Sequence, residues 1–160
     1  MPPSVRYRTD RALPTAYVGP MKIIFAADGS KYTKKALAFL VTHESLAGAD
    51  DEVFVLNVQL SVPARVKSML GAAAITDCQR EDAEKVLAPI RKFLDKHGLQ
   101  HRSAWVVGSP AAEIVKASVR EHAHLIVMGT HGHGFLGRAL MGSAAQRVVA
   151  DCEVPVLLVK

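Results

Sequence analysis

At 160 residues, with 49% hydrophobic and 22% charged side chains, the chain suits one domain with a sizeable core, is too short for two ordinary domains, and is too apolar for disorder. The net charge of +5 does not by itself indicate a nucleic-acid partner: Arg6, Arg8 and Arg11 precede Met21 opposed only by Asp10, and the rest has no basic stripe interleaved with aromatics. Cys78 and Cys152 lie far apart and form no CxxC pair, so a zinc ribbon and a thioredoxin-like motif are excluded, and no run approaches the roughly 18 apolar residues of a membrane span.

The arginines near the N-terminus are not followed by an apolar signal-peptide core, so the expected compartment is the cytoplasm, with both thiols reduced. Residues 1–20, rich in proline and arginine and without sustained periodicity, form an N-terminal extension, and the domain is expected over 21–160. Lys22 to Ala27 reads as a buried strand, and Asp28-Gly29-Ser30 ends it with turn chemistry. Ala36, Leu37, Leu40 and Val41 then recur at helical spacing. A second strand runs from Glu52 to Val58. Between Gln59 and Ala74 the pattern is lost, and Pro63 argues for a loop.

Ala83, Val86, Leu87, Ile90, Phe93 and Leu94 make an amphipathic helical stripe that Gly98 stops. A third strand, His101 to Val107, leads to Ser109 as a helix cap with Pro110 at the first helical position and Glu113 in the first turn. A fourth strand, Leu125 to Met128, opens into a glycine-rich segment from Gly129 to Gly142. A short helix from Ser143 and a last strand, Val154 to Val159, close the chain. Alternating strands and helices imply a doubly wound five-stranded parallel α/β sheet with helices on both faces. Ligands of such sheets bind beyond the strand C-termini, where the strand order reverses. The loops at Asp28 and after Met128 both emerge on that edge.

The segment from Gly129 to Ser143 carries the chemistry. Its glycines let backbone approach a ligand and turn successive N–H groups into one concavity, which suits phosphate oxygens, and the free N–H groups of the helix starting at Ser143 extend that anion site. A plain loop whose glycines serve turns is the alternative. Asp28 likewise has two readings, as a turn residue bonding its own backbone or as a carboxylate for ribose hydroxyls or a magnesium ion. Arg138 is a further candidate phosphate partner.

Gly129, two residues, Gly132, nine residues, then Gly142-Ser143 is the G-x2-G-x9-G-[S/T] pattern of ATP-binding universal stress proteins, which the chain resembles over about residues 21–160. The Ile23-Ile24-Phe25-Ala26-Ala27-Asp28-Gly29-Ser30 strand and turn, Gly108-Ser109-Pro110 and Val154-Pro155-Val156-Leu157-Leu158-Val159 resemble the same family. The resemblance implies a Rossmann-like sheet of order 3-2-1-4-5. It also implies ATP, ADP or AMP as ligand; a magnesium ion accompanying the nucleotide would be held at Asp28. Ala26, Ala27 and Asp28 would then lie near adenine and ribose, Val58 on the base, Met128 and Gly129 on the floor, and Gly132, Gly142, Ser143 and Ala144 at the phosphates. The implied role is a nucleotide-dependent stress-response regulator that forms a homodimer through the C-terminal strand and acts on client proteins the sequence does not name. A slow ATPase or a nucleotidyl-transfer enzyme of related α/β fold is the alternative.

Competing motifs are weaker. Gly132-His133-Gly134-Phe135-Leu136-Gly137 has the dinucleotide spacing, but it follows the fourth strand and too little chain remains for a βαβ unit. His122 with His124 and His131 with His133 lack a carboxylate or thiolate to complete a ligand set. Ser30, Ser109 and Ser143 have turn or cap explanations, so no catalytic triad is assigned.

Overall fold

The computed structural model describes residues 19–132 and 141–160. The expected extension up to residue 18, His133, Arg138 and most of the dinucleotide-like stretch therefore lie outside the described residues.

Three strands are nearly continuous apolar runs because both of their faces are covered, as parallel sheets require. These are β1 (Lys22–Ala26), β2 (Glu52–Gln59) and β4 (Leu125–Gly129). With β3 (Gln100–Val107) and β5 (Val156–Val159) they form one sheet in the order β3-β2-β1-β4-β5, and every pairing is parallel. This is the order that the family resemblance implies. The order reverses between β1 and β4, which pair from Ile23 with Leu125 to Ala26 with Met128.

The period of two along each strand divides the core. Ile23, Phe25, Val53, Val55 and Val127 face α1 (Lys31–Thr42) and α3 (Ala72–Lys96), through Ala36, Leu37, Leu40, Leu87, Ile90 and Leu94. Ile24, Ala26, Phe54, Leu56, Ile126 and Met128 face α4 (Pro110–Arg120) and α5 (Ser143–Asp151), through Ala111, Ile114, Ala117, Ala145 and Val148. Phe25, Leu40 and Val148 are wholly buried; truncating such a side chain to alanine costs about 2–5 kcal/mol.

Apart from one-residue shifts at strand ends, the structure differs from the sequence reading in three elements. The expected loop between Gln59 and Ala74 contains α2 (Ala64–Leu70) and the start of α3. Pro63 is the N-cap of α2, and the helix has no buried residue, so it leaves no apolar stripe in the sequence. The last strand starts at Val156, two residues later than expected: Pro155 lies ahead of it, and its carbonyl accepts the Ile126 N–H at 2.9 Å. Ser109 is the N-cap of α4, with Pro110 following, but its side chain makes no capping hydrogen bond.

Candidate functional site

β1 ends at Ala26, but the Ala27 N–H still donates to the Leu56 carbonyl at 2.9 Å, and the Ala27 carbonyl accepts from the Asn57 side-chain amide at 2.8 Å. Asn57 is 2% exposed, and its own carbonyl oxygen accepts from the Gln59 amide at 2.7 Å. A buried polar side chain in a central strand therefore holds the backbone just before Asp28. The sequence reading missed Asn57; a lone amide inside the run Val53 to Val58 is the signal that could have found it.

Asp28 then turns the chain. Its Oδ1 accepts from the Ser30 N–H at 2.9 Å and the Thr33 hydroxyl at 2.6 Å, while Ser30 caps α1 by accepting the Thr33 N–H at 3.3 Å. The turn-residue reading of Asp28 therefore holds for one oxygen. The other, Oδ2, makes no hydrogen bond among the described residues and lies 2.6 Å from the position a Cβ on Gly132 would occupy. Gly132 is thus the residue that leaves room for the carboxylate, pinned as it is through its other oxygen.

On the far side of β1, Gly129 ends β4 and packs against α1: a Cβ there would lie 2.5 Å from Tyr32 Cβ. The Thr130 N–H donates to the Val159 carbonyl at 2.9 Å, and the Thr130 carbonyl accepts the Gly142 N–H at 2.7 Å. That second bond closes the glycine-rich segment and delivers the chain to α5. Gly142 is the N-cap, with φ −69° and ψ 158° and no side-chain cap, so among the described residues the first N–H groups of α5, at Ser143, Ala144 and Ala145, have no capping partner. The backbone of Gly142 is one that any residue adopts, so conformation alone does not require glycine there. Among the described residues an added Cβ would meet only ordinary contacts, 3.4 Å from His131 Cα and the Thr130 carbonyl oxygen.

These segments enclose a cavity of about 480 Å³ at the C-terminal edge of the sheet. All ten residues singled out from the sequence line it: Ala26, Ala27, Asp28, Val58, Met128, Gly129, Gly132, Gly142, Ser143 and Ala144. Toward β2 and α4 its walls are apolar, from Leu56, Val58, Leu60, Pro110 and Ile114, and toward β4 and α5, beyond Met128, they are mostly glycine backbone, alanine and the polar Thr130, His131 and Ser143. Leu60, Pro110 and Ile114 were missed. The β3-to-α4 connection emerges on the same edge, so Pro110 carried a topological signal, whereas Leu60 and Ile114 reach the cavity only through the sheet order.

Residues 20–160 match the universal stress protein family. The chain belongs to that family. A universal stress protein of Thermus aquaticus is 35% identical over 139 residues, covering 86% of this chain and 97% of its own length. A solved structure of a Methanocaldococcus jannaschii family member superposes with TM-score 0.77 at 30% identity, over 89% of this chain and 97% of that one. More distant universal stress proteins share the fold: one from Archaeoglobus fulgidus solved with dAMP has TM-score 0.64 at 23% identity, covering 88% of this chain and 98% of its own. One from Arabidopsis thaliana solved with AMP has TM-score 0.65 at 17% identity, covering 88% and 92%. Among the described residues no helix is long and apolar enough to cross a membrane.

Proposed function

We propose that this family member binds an adenine nucleotide, ATP above all, in the cavity at the switch point between β1 and β4, and acts as a nucleotide-dependent regulator in the stress response. The observation that carries the reading is the asymmetry of the cavity, with apolar walls toward β2 and α4 and the uncapped N-terminus of α5 toward β4. An adenine ring suits the first end, between Val58, Leu60 and Pro110. Phosphate oxygens suit the second, where three N–H groups and the positive end of the helix dipole meet. The volume lies within the range of small-ligand sites. The two distant relatives solved with dAMP and AMP favour the same ligand class.

The three motif glycines then have separate causes. Gly129 is demanded by Tyr32 and Gly132 by the Asp28 carboxylate, whereas nothing in the described fold demands glycine at position 142. Close approach of a phosphate accounts for that third glycine. Asp28 Oδ2 fits one coordination position of a magnesium ion, which commonly takes one or two carboxylates and fills its shell with phosphate oxygens and water. Mass spectrometry of nucleotide extracted from the purified protein tests the reading, with ATP, ADP or AMP at near one per chain as the expected result. Turnover of saturating ATP faster than bound nucleotide exchanges would favour the enzyme alternative.

The same reading extends to assembly. β5 is an edge strand whose four side chains are all half-buried, and Pro155 stands ahead of it, where its missing N–H breaks no bond to β4. A second copy pairing with β5 about a two-fold axis would cover this edge. Light scattering at micromolar concentration is expected to return twice the chain mass, and a monomer mass would remove this part of the proposal.

A further inference from the structure

Helix α1 begins against the electrostatic rule for helix ends. Lys31, Lys34 and Lys35 all fall in its first five residues, its first turn holds no acidic residue, and each lysine is exposed. Cations at the positive end of a helix dipole are unfavourable. Among the described residues none of the three has a carboxylate partner. The ammonium groups of Lys31 and Lys35 instead lie over the Tyr32 ring, 5.1 and 5.9 Å from its centroid.

This cluster is tied to the cavity rim. The Tyr32 ring is 4.9 Å from the ring of His131, which lines the cavity beside Gly132, and Tyr32 is held in place by its contact with Gly129. The Ser30 hydroxyl donates to the His131 carbonyl at 3.4 Å, which fixes the start of α1 to the same loop. Lys31 and Lys35 are therefore carried toward the His131 rim of the cavity, with Lys34 beside them in the same helix start, where the helix dipole disfavours cations in the absence of an anion.

We propose that Lys31, Lys34 and Lys35 are specificity-determining residues that make the site prefer a nucleoside triphosphate over a monophosphate. The proposal rests on the adenine-nucleotide reading above and deepens it. A monophosphate leaves its charge at the N-terminus of α5, whereas the two additional phosphates extend the anionic chain into the field of the α1 lysines. Each exposed cation is expected to contribute a factor of about two, so the three together contribute roughly five- to ten-fold in favour of ATP. The preference should weaken as salt rises, because exposed charges are screened.

The test is calorimetric titration of the nucleotide-free full chain with AMP and with ATP, for the parent and for a variant carrying Lys31→Ala, Lys34→Ala and Lys35→Ala. The expected result is that the parent prefers ATP, that the variant loses roughly five- to ten-fold in ATP affinity, and that its AMP affinity changes by less than about two-fold. Removing the cations should leave the melting temperature unchanged or raised, which separates lost recognition from lost folding. A variant that keeps the parent's ATP-to-AMP ratio, or a parent that binds both equally, overturns this inference alone. A parent that binds neither nucleotide overturns the site reading as well.

Discussion

Replacing Gly129 by alanine tests whether the first glycine of the motif serves the fold. The new methyl carbon would sit 2.5 Å from Tyr32 Cβ and 3.0 Å from the Tyr32 carbonyl carbon. Neither is the tip of a flexible chain, so relief requires the start of α1 to move, and Leu37 and Leu40 anchor that helix in the core. Overpacking of this kind costs about 1–3 kcal/mol, and an obstacle that includes backbone belongs near the upper end. The lower unfolded-state entropy of alanine returns about 0.4–1 kcal/mol. The net loss is about 2 kcal/mol, or roughly 4–8 °C in melting temperature for a chain of this size. Gly142→Ala is the control, because its contacts start at 3.4 Å and its φ is −69°. Thermal denaturation followed by circular dichroism should show Gly129→Ala melting well below both the parent and Gly142→Ala. If Gly129→Ala melted with the parent, the packing account of this glycine would be wrong.

Asn57→Ala should destabilise the protein by about 1–3 kcal/mol in urea denaturation, because it strips the buried Ala27 carbonyl of its side-chain partner, and it should also weaken nucleotide binding by loosening the backbone before Asp28. A variant as stable as the parent would show that the amide does not hold this backbone. Glu121 governs part of the acid response: hydrogen bonds from Arg120 and then Arg102 hold its carboxyl below the usual glutamate range. Its folded pKa lies below its unfolded one, so its stabilisation is complete above the ordinary glutamate value and is lost as pH falls through the lowered folded value. Glu121→Gln should therefore cost up to about 1 kcal/mol near neutral pH and nothing once the carboxyl is protonated. Equal losses at neutral pH and below pH ~3 would contradict the assignment.

Much of this architecture is readable in the chain because its causes are local. Ile23 to Ala26, Val53 to Leu56 and Ile126 to Met128 are buried on both faces, so each appears as an uninterrupted apolar run. Pro110 and Ser143 mark helix starts by their own chemistry, and the spacing of Gly129, Gly132 and Gly142 places the site. The parts that were not legible have nonlocal causes. In α2, Met69 and Leu70 are exposed by 76% and 63%, so that helix shows no core-facing stripe. Leu60 and Ile114 reach the cavity only because the sheet order brings β2 and α4 beside β1. The need for glycine at 129 and 132 depends on Tyr32 and Asp28, about a hundred residues earlier. Sequence reasoning attributed both glycines to a ligand, and the structure gives each a steric reason of its own.

The central claim is that the cavity between Asp28 and the N-terminus of α5 holds an adenine nucleotide whose phosphates approach the Gly142 backbone. Calorimetric titration of ATP with magnesium into nucleotide-free protein, for the parent and for Gly142→Val, tests it most directly. The account predicts one ATP per chain for the parent and at least a ten-fold loss of affinity for Gly142→Val, with the cooperative melt retained. Absence of binding by the parent, or a valine variant that binds ATP as tightly as the parent, would contradict it.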